Sequence, residues 1–85
     1  MSYRVIWNRQ ATEAVQRIYD ATFDKEGVVH AVTRVGLELE SQPHDAGESR
    51  DPGERILFKP PLIVWFEIDE RMKEVIVANV RSSRQ

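Results

Sequence analysis

Apolar residues recur at every second position in four segments of the chain, which is the period of a β-strand. In the first segment, residues 2–7, Tyr3, Val5 and Trp7 share one side. The other three segments are residues 54–59, 62–68 and 75–80. Residues 62–68 are apolar on nearly both sides, which indicates a central strand. The pattern predicts one strand near the N-terminus and three consecutive strands in the second half of the chain.

A helical period follows the first strand. Apolar residues fall three or four positions apart from Ala11 to Tyr19, so they form one stripe along a helix. Asn8 precedes this stripe and belongs to the residue types that favour the N-cap position. We predict a helix over residues 9–23. The polar segment 24–27, which contains a glycine, then breaks the pattern.

Helical spacing resumes at Val28 and continues to Leu39, which predicts a second helix that ends near Glu40. The four valines of this segment lose side-chain freedom in a helix. Gly36 costs roughly 1 kcal/mol relative to alanine. Packing against the first helix must therefore stabilise the second one. Gly36 marks either a close approach of the two helix backbones or a tolerated glycine on the surface.

Residues 41–53 show no period and are rich in turn-forming residues. A loop of about thirteen residues is uncommon in a compact domain, and such loops tend to be functional or mobile. This segment is therefore a candidate for part of a functional site.

The element order β-α-α-β-β-β predicts an α+β fold. We expect a helical hairpin to pack on one face of an antiparallel sheet and to leave the other face partly open. A chain of 85 residues has room for one core, so residues 1–80 are predicted to form a single domain. Residues 81–85 carry no structural signal and are predicted to form a flexible basic tail.

Composition narrows the possible sites. The chain has no cysteine, which excludes disulfides and thiolate metal sites. Two distant histidines and scattered carboxylates offer no metal-ligand spacing, and we expect no metal and no cofactor. The longest apolar run has five residues, whereas a membrane helix needs roughly 20. The N-terminus lacks the apolar stretch of a signal peptide. We therefore expect a cytoplasmic protein that does not associate with membranes.

The formal net charge of -2 argues against a general nucleic-acid binder, which usually carries a basic patch. The charge is unevenly distributed. Residues 1–48 hold five basic and eight acidic side chains, whereas residues 49–85 hold seven basic and six acidic ones. Any surface that faces phosphate should therefore lie in the C-terminal half.

The sequence carries, in order, Tyr3-x-Val5-x-Trp7, Ala11 and Ala14, Pro43 and Gly47 before Arg50, Arg55-x-Leu57, the strand 61–68, and a last strand 75–80 that runs into arginines. Together these pieces resemble the RelE/ParE superfamily of toxins from bacterial toxin-antitoxin modules. The resemblance covers nearly the whole chain and implies the same α+β fold. It also implies an antitoxin partner whose C-terminal segment wraps the toxin. Some members cut messenger RNA on the ribosome and others poison DNA gyrase, so the resemblance leaves the target open.

Cutting RNA requires a base, an acid and cations where negative charge builds on the phosphorane. By resemblance to the nuclease members, Arg55 and Arg81 are the candidate catalytic cations, and on neighbouring strands they would converge on one phosphate. His44 in the long loop is the candidate acid or base, because imidazole exchanges protons near neutral pH. The candidate substrate-binding residues are Arg50, Lys59 and Arg84. The alternative is that each of these residues is an ordinary solvated charge.

One feature of the nuclease members is missing, because no tyrosine or histidine follows Phe66. Gyrase poisoning fits this absence better than RNA cleavage does. Two further possibilities are a non-catalytic protein-interaction domain and an unrelated α+β protein. Trp7 and Trp65 both lie in strand patterns, and we expect both to pack in the core rather than to stack on bases.

Overall fold

The structure, a computed structural model, describes residues 2–50 and 53–83. Its elements are β1 (Arg4–Trp7), α1 (Arg9–Ala21), α2 (Lys25–Ser41), β2 (Glu48–Ser49), β3 (Glu54–Lys59), β4 (Leu62–Asp69) and β5 (Glu74–Ser82). The α+β class and the predicted order of helices and strands are confirmed. The additional element is β2, a two-residue strand within the segment predicted as a loop.

The five strands form one sheet in the order β1-β5-β4-β3-β2. The pairings among β2, β3, β4 and β5 are antiparallel, as expected for strands joined by short connections. β1 instead runs parallel to β5, so the sheet is mixed rather than purely antiparallel. No hairpin joins β1 to β5, because the helices and the other strands separate them in the sequence, and their relative direction is therefore not forced.

Each helix begins at a side-chain cap. The Asn8 side chain accepts a hydrogen bond from the Ala11 backbone N–H at 2.8 Å, which confirms Asn8 as the N-cap of α1. The Asp24 side chain accepts from the Gly27 N–H at 3.0 Å and caps α2 in the same way. Because Asp24 satisfies this N–H, α2 begins at Lys25, three residues earlier than the apolar stripe indicates.

The core lies between the helices and one face of the sheet. Small residues of α1, Ala11 and Ala14, let this helix approach the sheet closely. The buried apolar residues of the core are Ala11, Ala14, Ala31, Val35, Leu39, Ala46, Leu57, Leu62, Val64, Phe66, Val75, Val77 and Val80. Burying one large side chain, such as that of Phe66, contributes about 1.5 to 3 kcal/mol to the free energy of unfolding. This core fixes which face of every strand points inward.

Side chains alternate between the two faces of the sheet. Phe66 is fully buried against the helices, whereas its neighbour Trp65 lies on the opposite face and is only half-buried. The expectation that Trp65 packs in the core is therefore wrong, because the alternation of β4 places it on the other face. Trp7 does pack against the core. On β3 the register buries Leu57 and leaves Phe58 58% exposed.

The last strand is longer than predicted. β5 includes Arg81 and Ser82, and the Ser83 N–H donates to the Pro61 carbonyl at 2.9 Å. The predicted boundary between domain and tail at residue 80 thus falls inside a strand. The rest of the predicted basic tail, residues 84–85, lies outside the described residues.

Candidate functional site

Arg55 faces the helices and binds the loop that follows α2. It lies on β3 directly opposite Phe66, and directly opposite residues share a face of the sheet. Its Nη2 lies 2.9 Å from the carbonyl oxygen of His44 and 3.3 Å from that of Gly47. Its Nε donates to the Ala46 carbonyl at 3.2 Å. The guanidinium therefore holds the backbone of residues 44–47 in place.

Gly47 fits this loop because of its backbone conformation. Its φ is +66°, a value that residues with a Cβ rarely adopt. A Cβ atom here would also lie 2.1 Å from the carbonyl oxygen of Ile56. The loop thus packs directly on β3, and only glycine permits that approach.

His44 belongs to a cluster of four polar side chains that we call the Glu70 cluster: Tyr3, His44, Glu70 and Lys73. His44 Nε2 lies 2.6 Å from Glu70 Oε2. The Tyr3 hydroxyl donates to both carboxylate oxygens at 2.9 Å, and the Lys73 ammonium donates to Oε1. The Lys73 Nζ also lies 5.1 Å from the centre of the Tyr3 ring. One carboxylate thus joins the N-terminal segment, the long loop and the β4–β5 turn.

These hydrogen bonds set the protonation of the cluster. The bond from Lys73, with those from His44 and Tyr3, lowers the pKa of Glu70 from 4.5 to about 2. The bond to Glu70 raises the pKa of Lys73 and also that of Tyr3. At neutral pH Glu70 is therefore a carboxylate that accepts hydrogen bonds, and Tyr3 and Lys73 keep their protons.

Arg81 lies on the other face of the sheet. It is exposed on β5 directly opposite Ile63, which faces away from the helices. β4 separates β5 from β3, and Arg55 points toward the helices. Arg55 and Arg81 therefore do not converge on one phosphate, contrary to the expectation from the sequence. The β-sheet register is the physical reason, because it places the two guanidinium groups on opposite faces.

Arg81 is also distant from His44. His44 bonds to Glu70 at the start of the β4–β5 turn, whereas Arg81 lies seven residues into β5. At about 3.3 Å per residue, the two ends of this strand lie roughly 20 Å apart. The structure therefore brings Arg55 and His44 together and leaves Arg81 separate.

The candidate substrate-binding residues are dispersed as well. Arg50 is exposed, and its Nη2 lies 3.6 Å from Glu48 Oε1. Lys59 faces the helices and forms an ion pair with Glu38 of α2. Arg84 lies outside the described residues. Neither of the two described residues shares a site with Arg55 and His44.

Sequence reasoning missed Tyr3, Glu70 and Lys73. Tyr3 belongs to the apolar alternation of the first strand, and the other two belong to a polar turn. Their proximity follows from the parallel pairing of β1 with β5, in which Arg4 lies opposite Glu74. A sequence pattern does not show this pairing, because the two strands are seventy positions apart.

The part of the chain that the structure describes was also compared with the requirements of a metal site and of a membrane-spanning helix. Within residues 2–50 and 53–83, no group of histidines and carboxylates is arranged to hold a metal ion. Within the same residues, no helix is long and apolar enough to cross a membrane.

The fold is similar to that of solved toxin-antitoxin structures. The toxin-antitoxin complex RelBE2 from Mycobacterium tuberculosis aligns with a TM-score of 0.79 and 15% identity over 96% of this chain and 92% of the other. The chromosomal ParDE system of P. aeruginosa aligns with a TM-score of 0.72 and 23% identity, over 94% of this chain and 95% of the other. The archaeal RelE-RelB complex from Pyrococcus horikoshii OT3 aligns with a TM-score of 0.71 and 14% identity, over 100% of this chain and 99% of the other.

No family model and no curated protein matches the sequence. The similarity therefore concerns the fold, and the predicted RelE/ParE-like fold is confirmed.

Proposed function

We propose that this protein is the growth-inhibiting toxin of a toxin-antitoxin module. The observation that carries the proposal is the RelE/ParE-like fold, which aligns along nearly the full length of both chains with structures of toxin-antitoxin systems. A fold shared at this level limits the function without choosing the target. The target must therefore be argued from the side chains.

An antitoxin is the partner that this proposal requires, and the surface offers places for one. The groove between α1 and α2 is lined by apolar side chains that include Val15, Val29 and Val32. Val29 is 54% exposed there. Amphipathic helices bind in grooves of this kind, and extended segments pair with free strand edges. A partner that wraps the chain would use both.

The geometry supports a toxin that binds its target more than one that cuts RNA. Among the described residues, the hydrogen bonds of the Arg55 guanidinium all go to loop carbonyls, which makes it a poor candidate to stabilise a phosphorane. His44 lies roughly 20 Å along the sheet from Arg81, and in-line phosphate chemistry needs its acid, base and cations within hydrogen-bond reach of one phosphate. A poison that acts by binding DNA gyrase has no such requirement.

Two assays with purified protein separate the targets. In a supercoiling reaction with DNA gyrase, we expect the protein to inhibit supercoiling in proportion to its concentration. In a translation reaction with ribosomes, we expect the messenger to stay intact. Cleaved messenger with unaffected supercoiling would overturn the gyrase assignment and restore messenger cleavage as the activity.

The second candidate function is a non-catalytic protein-interaction domain with the same fold. The dispersed candidate residues favour it, because Arg55, Lys59 and Arg50 each have protein partners in the structure. This function predicts neither inhibition of supercoiling nor cleavage of messenger. A folded protein that is inactive in both assays would replace the toxin proposal with this one.

A further inference from the structure

The sheet face opposite the helices carries three rows of side chains to which the proposed function assigns no role. We call this surface the open face. Strand register defines its rows, because directly opposite residues share a face. The rows are Phe58, Ile63 and Arg81, then Ile56, Trp65 and Asn79, then Glu54, Glu67 and Ile76.

The open face is apolar in its middle. Phe58 is 58% exposed, and Ile56, Ile63 and Trp65 are half-buried although no helix covers them. Contiguous apolar side chains on a surface usually mark a site of interaction. The two aromatic side chains are of the types that often anchor protein interfaces.

The charges of the open face are separated. Glu54 lies directly opposite Glu67, an arrangement of like charges that destabilises a sheet. Among residues 2–50 and 53–83, neither carboxylate has an ion-pair partner, and Arg81 has none either. Arg81 and the glutamate pair lie two rows apart, which is about 13 Å along the strands. Arg50, whose N–H donates to the Glu54 carbonyl, lies beside the glutamate pair but forms its ion pair with Glu48. The face is thus basic at one end, apolar in the middle and acidic overall at the other end.

We infer that the open face binds a second copy of this chain. In a twofold dimer each surface meets its own copy, so residue i contacts j and j contacts i. The twofold axis lies in the plane between the two facing sheets and passes close to Trp65. It places each Arg81 over Glu54 and Glu67 of the other copy. The same operation places Phe58 of one copy against Ile56 of the other. The face therefore complements itself in charge and in apolar contact.

The area of the open face indicates a weak dimer. Three strands spaced about 4.8 Å apart and three rows spaced about 6.7 Å apart cover roughly 14 Å by 20 Å. Two such surfaces bury a total of about 600 Å², which is below the roughly 1,000 Å² of a stable specific interface and fits a transient one. The inference goes beyond the proposed function and holds whether or not the protein inhibits growth.

Sedimentation of the purified full chain tests the dimer. We expect a reversible monomer–dimer equilibrium with a micromolar dissociation constant that rises with salt, as charge pairing requires. Arg81→Glu should raise this constant at least about tenfold, because it places like charges together at both symmetric contacts. Arg71→Glu makes the same charge change on an exposed arginine of the β4–β5 turn and should leave the constant unchanged.

Reversing the charges at both ends of the open face gives the decisive variant. Arg81→Glu combined with Glu54→Arg and Glu67→Arg should restore dimerisation to within about threefold of the parent chain. A parent chain that stays monomeric up to about 500 µM, roughly a hundred times a low-micromolar dissociation constant, would overturn the inference and leave the face to another protein. Dimerisation of Arg81→Glu as tight as that of the parent would overturn it as well.

Crosslinking gives a second measurement that does not depend on the charge variants. Because the chain has no cysteine, Asn79→Cys introduces a single thiol close to the twofold axis. A short bis-maleimide should crosslink this variant to a dimer. Thr12→Cys, exposed on α1 on the other side of the molecule, should stay monomeric. Equal crosslinking of both variants would contradict an interface on the open face.

Discussion

The two glycines at positions 36 and 47 illustrate how local space decides the role of a residue. Gly36 lies inside α2, and a Cβ atom there would meet nothing within 4 Å. Of the two explanations for Gly36, the structure therefore supports a tolerated glycine rather than a close helix approach. Gly47, in contrast, needs both its positive φ and its missing Cβ.

Alanine at these positions should have opposite effects. Gly36→Ala should stabilise the protein by roughly 0.5 to 1 kcal/mol, because alanine favours the helix interior and fits the open space. Gly47→Ala should destabilise it by more than about 1 kcal/mol, because the left-handed conformation and the Ile56 carbonyl both oppose a Cβ. Urea denaturation measures both free energies of unfolding. Destabilisation by Gly36→Ala would contradict the absence of close contacts.

Glu70 should make stability depend on pH under acidic conditions. Its pKa in the folded protein is about 2, below its ordinary 4.5, so the folded state binds this proton less readily than the unfolded state does. The stabilisation is therefore present above pH 4.5 and is lost as pH falls toward 2. We expect Glu70→Gln to lower the urea midpoint at neutral pH, with a difference from the parent that shrinks over this range.

The matched control is Glu40→Gln, since Glu40 is an exposed carboxylate on α2. Within residues 2–50 and 53–83 no hydrogen bond to the Glu40 carboxylate is found, so this variant should lower the urea midpoint at neutral pH less than Glu70→Gln does. A difference for Glu70→Gln that stays constant with pH would show that the cluster does not hold the carboxylate charged.

At the scale of the elements, Arg55 connects β3 to the loop after α2. Removal of its guanidinium leaves the carbonyls of His44, Ala46 and Gly47 without that donor. We expect Arg55→Ala to cost about 1 to 3 kcal/mol of stability and to speed amide hydrogen exchange in residues 44–47. Arg71→Ala, on an exposed arginine, should change stability by less than about 0.5 kcal/mol. Unchanged exchange in the loop would contradict the positioning role of Arg55.

The elements differ in how far the sequence determines them. The stripe from Ala11 to Tyr19 and the Asn8 cap are local features, and they predict α1 to within two residues. β3 is different, because Ile56 and Phe58 on one side and Leu57 on the other make both of its sides partly apolar. Pairing with β4 buries Leu57 and thereby turns Arg55 toward the helices. Candidate site residues on this strand could therefore not be assigned to a face from the sequence.

At the scale of the whole molecule, the sheet separates two surfaces. The helix-facing side holds the core and Arg55, and the Glu70 cluster ties chain segments together at one end. The open face carries Arg81 and the exposed Phe58. A dimer as weak as its area indicates would dissociate at low concentration and present this face to other partners. Because this face carries the exposed Arg81 and the exposed apolar side chain of Phe58, we expect the protein to act on its target through it.

Growth of a bacterial host after induction of this chain tests the toxin proposal most directly. We expect the parent chain to stop growth, His44→Ala to stop it equally, and Arg81→Ala to permit growth while the folded protein accumulates to the same level. If the parent chain accumulates in folded form and growth continues, the protein is not a toxin in that host. If Arg81→Ala stops growth as fully as the parent does, the open face is not the acting surface.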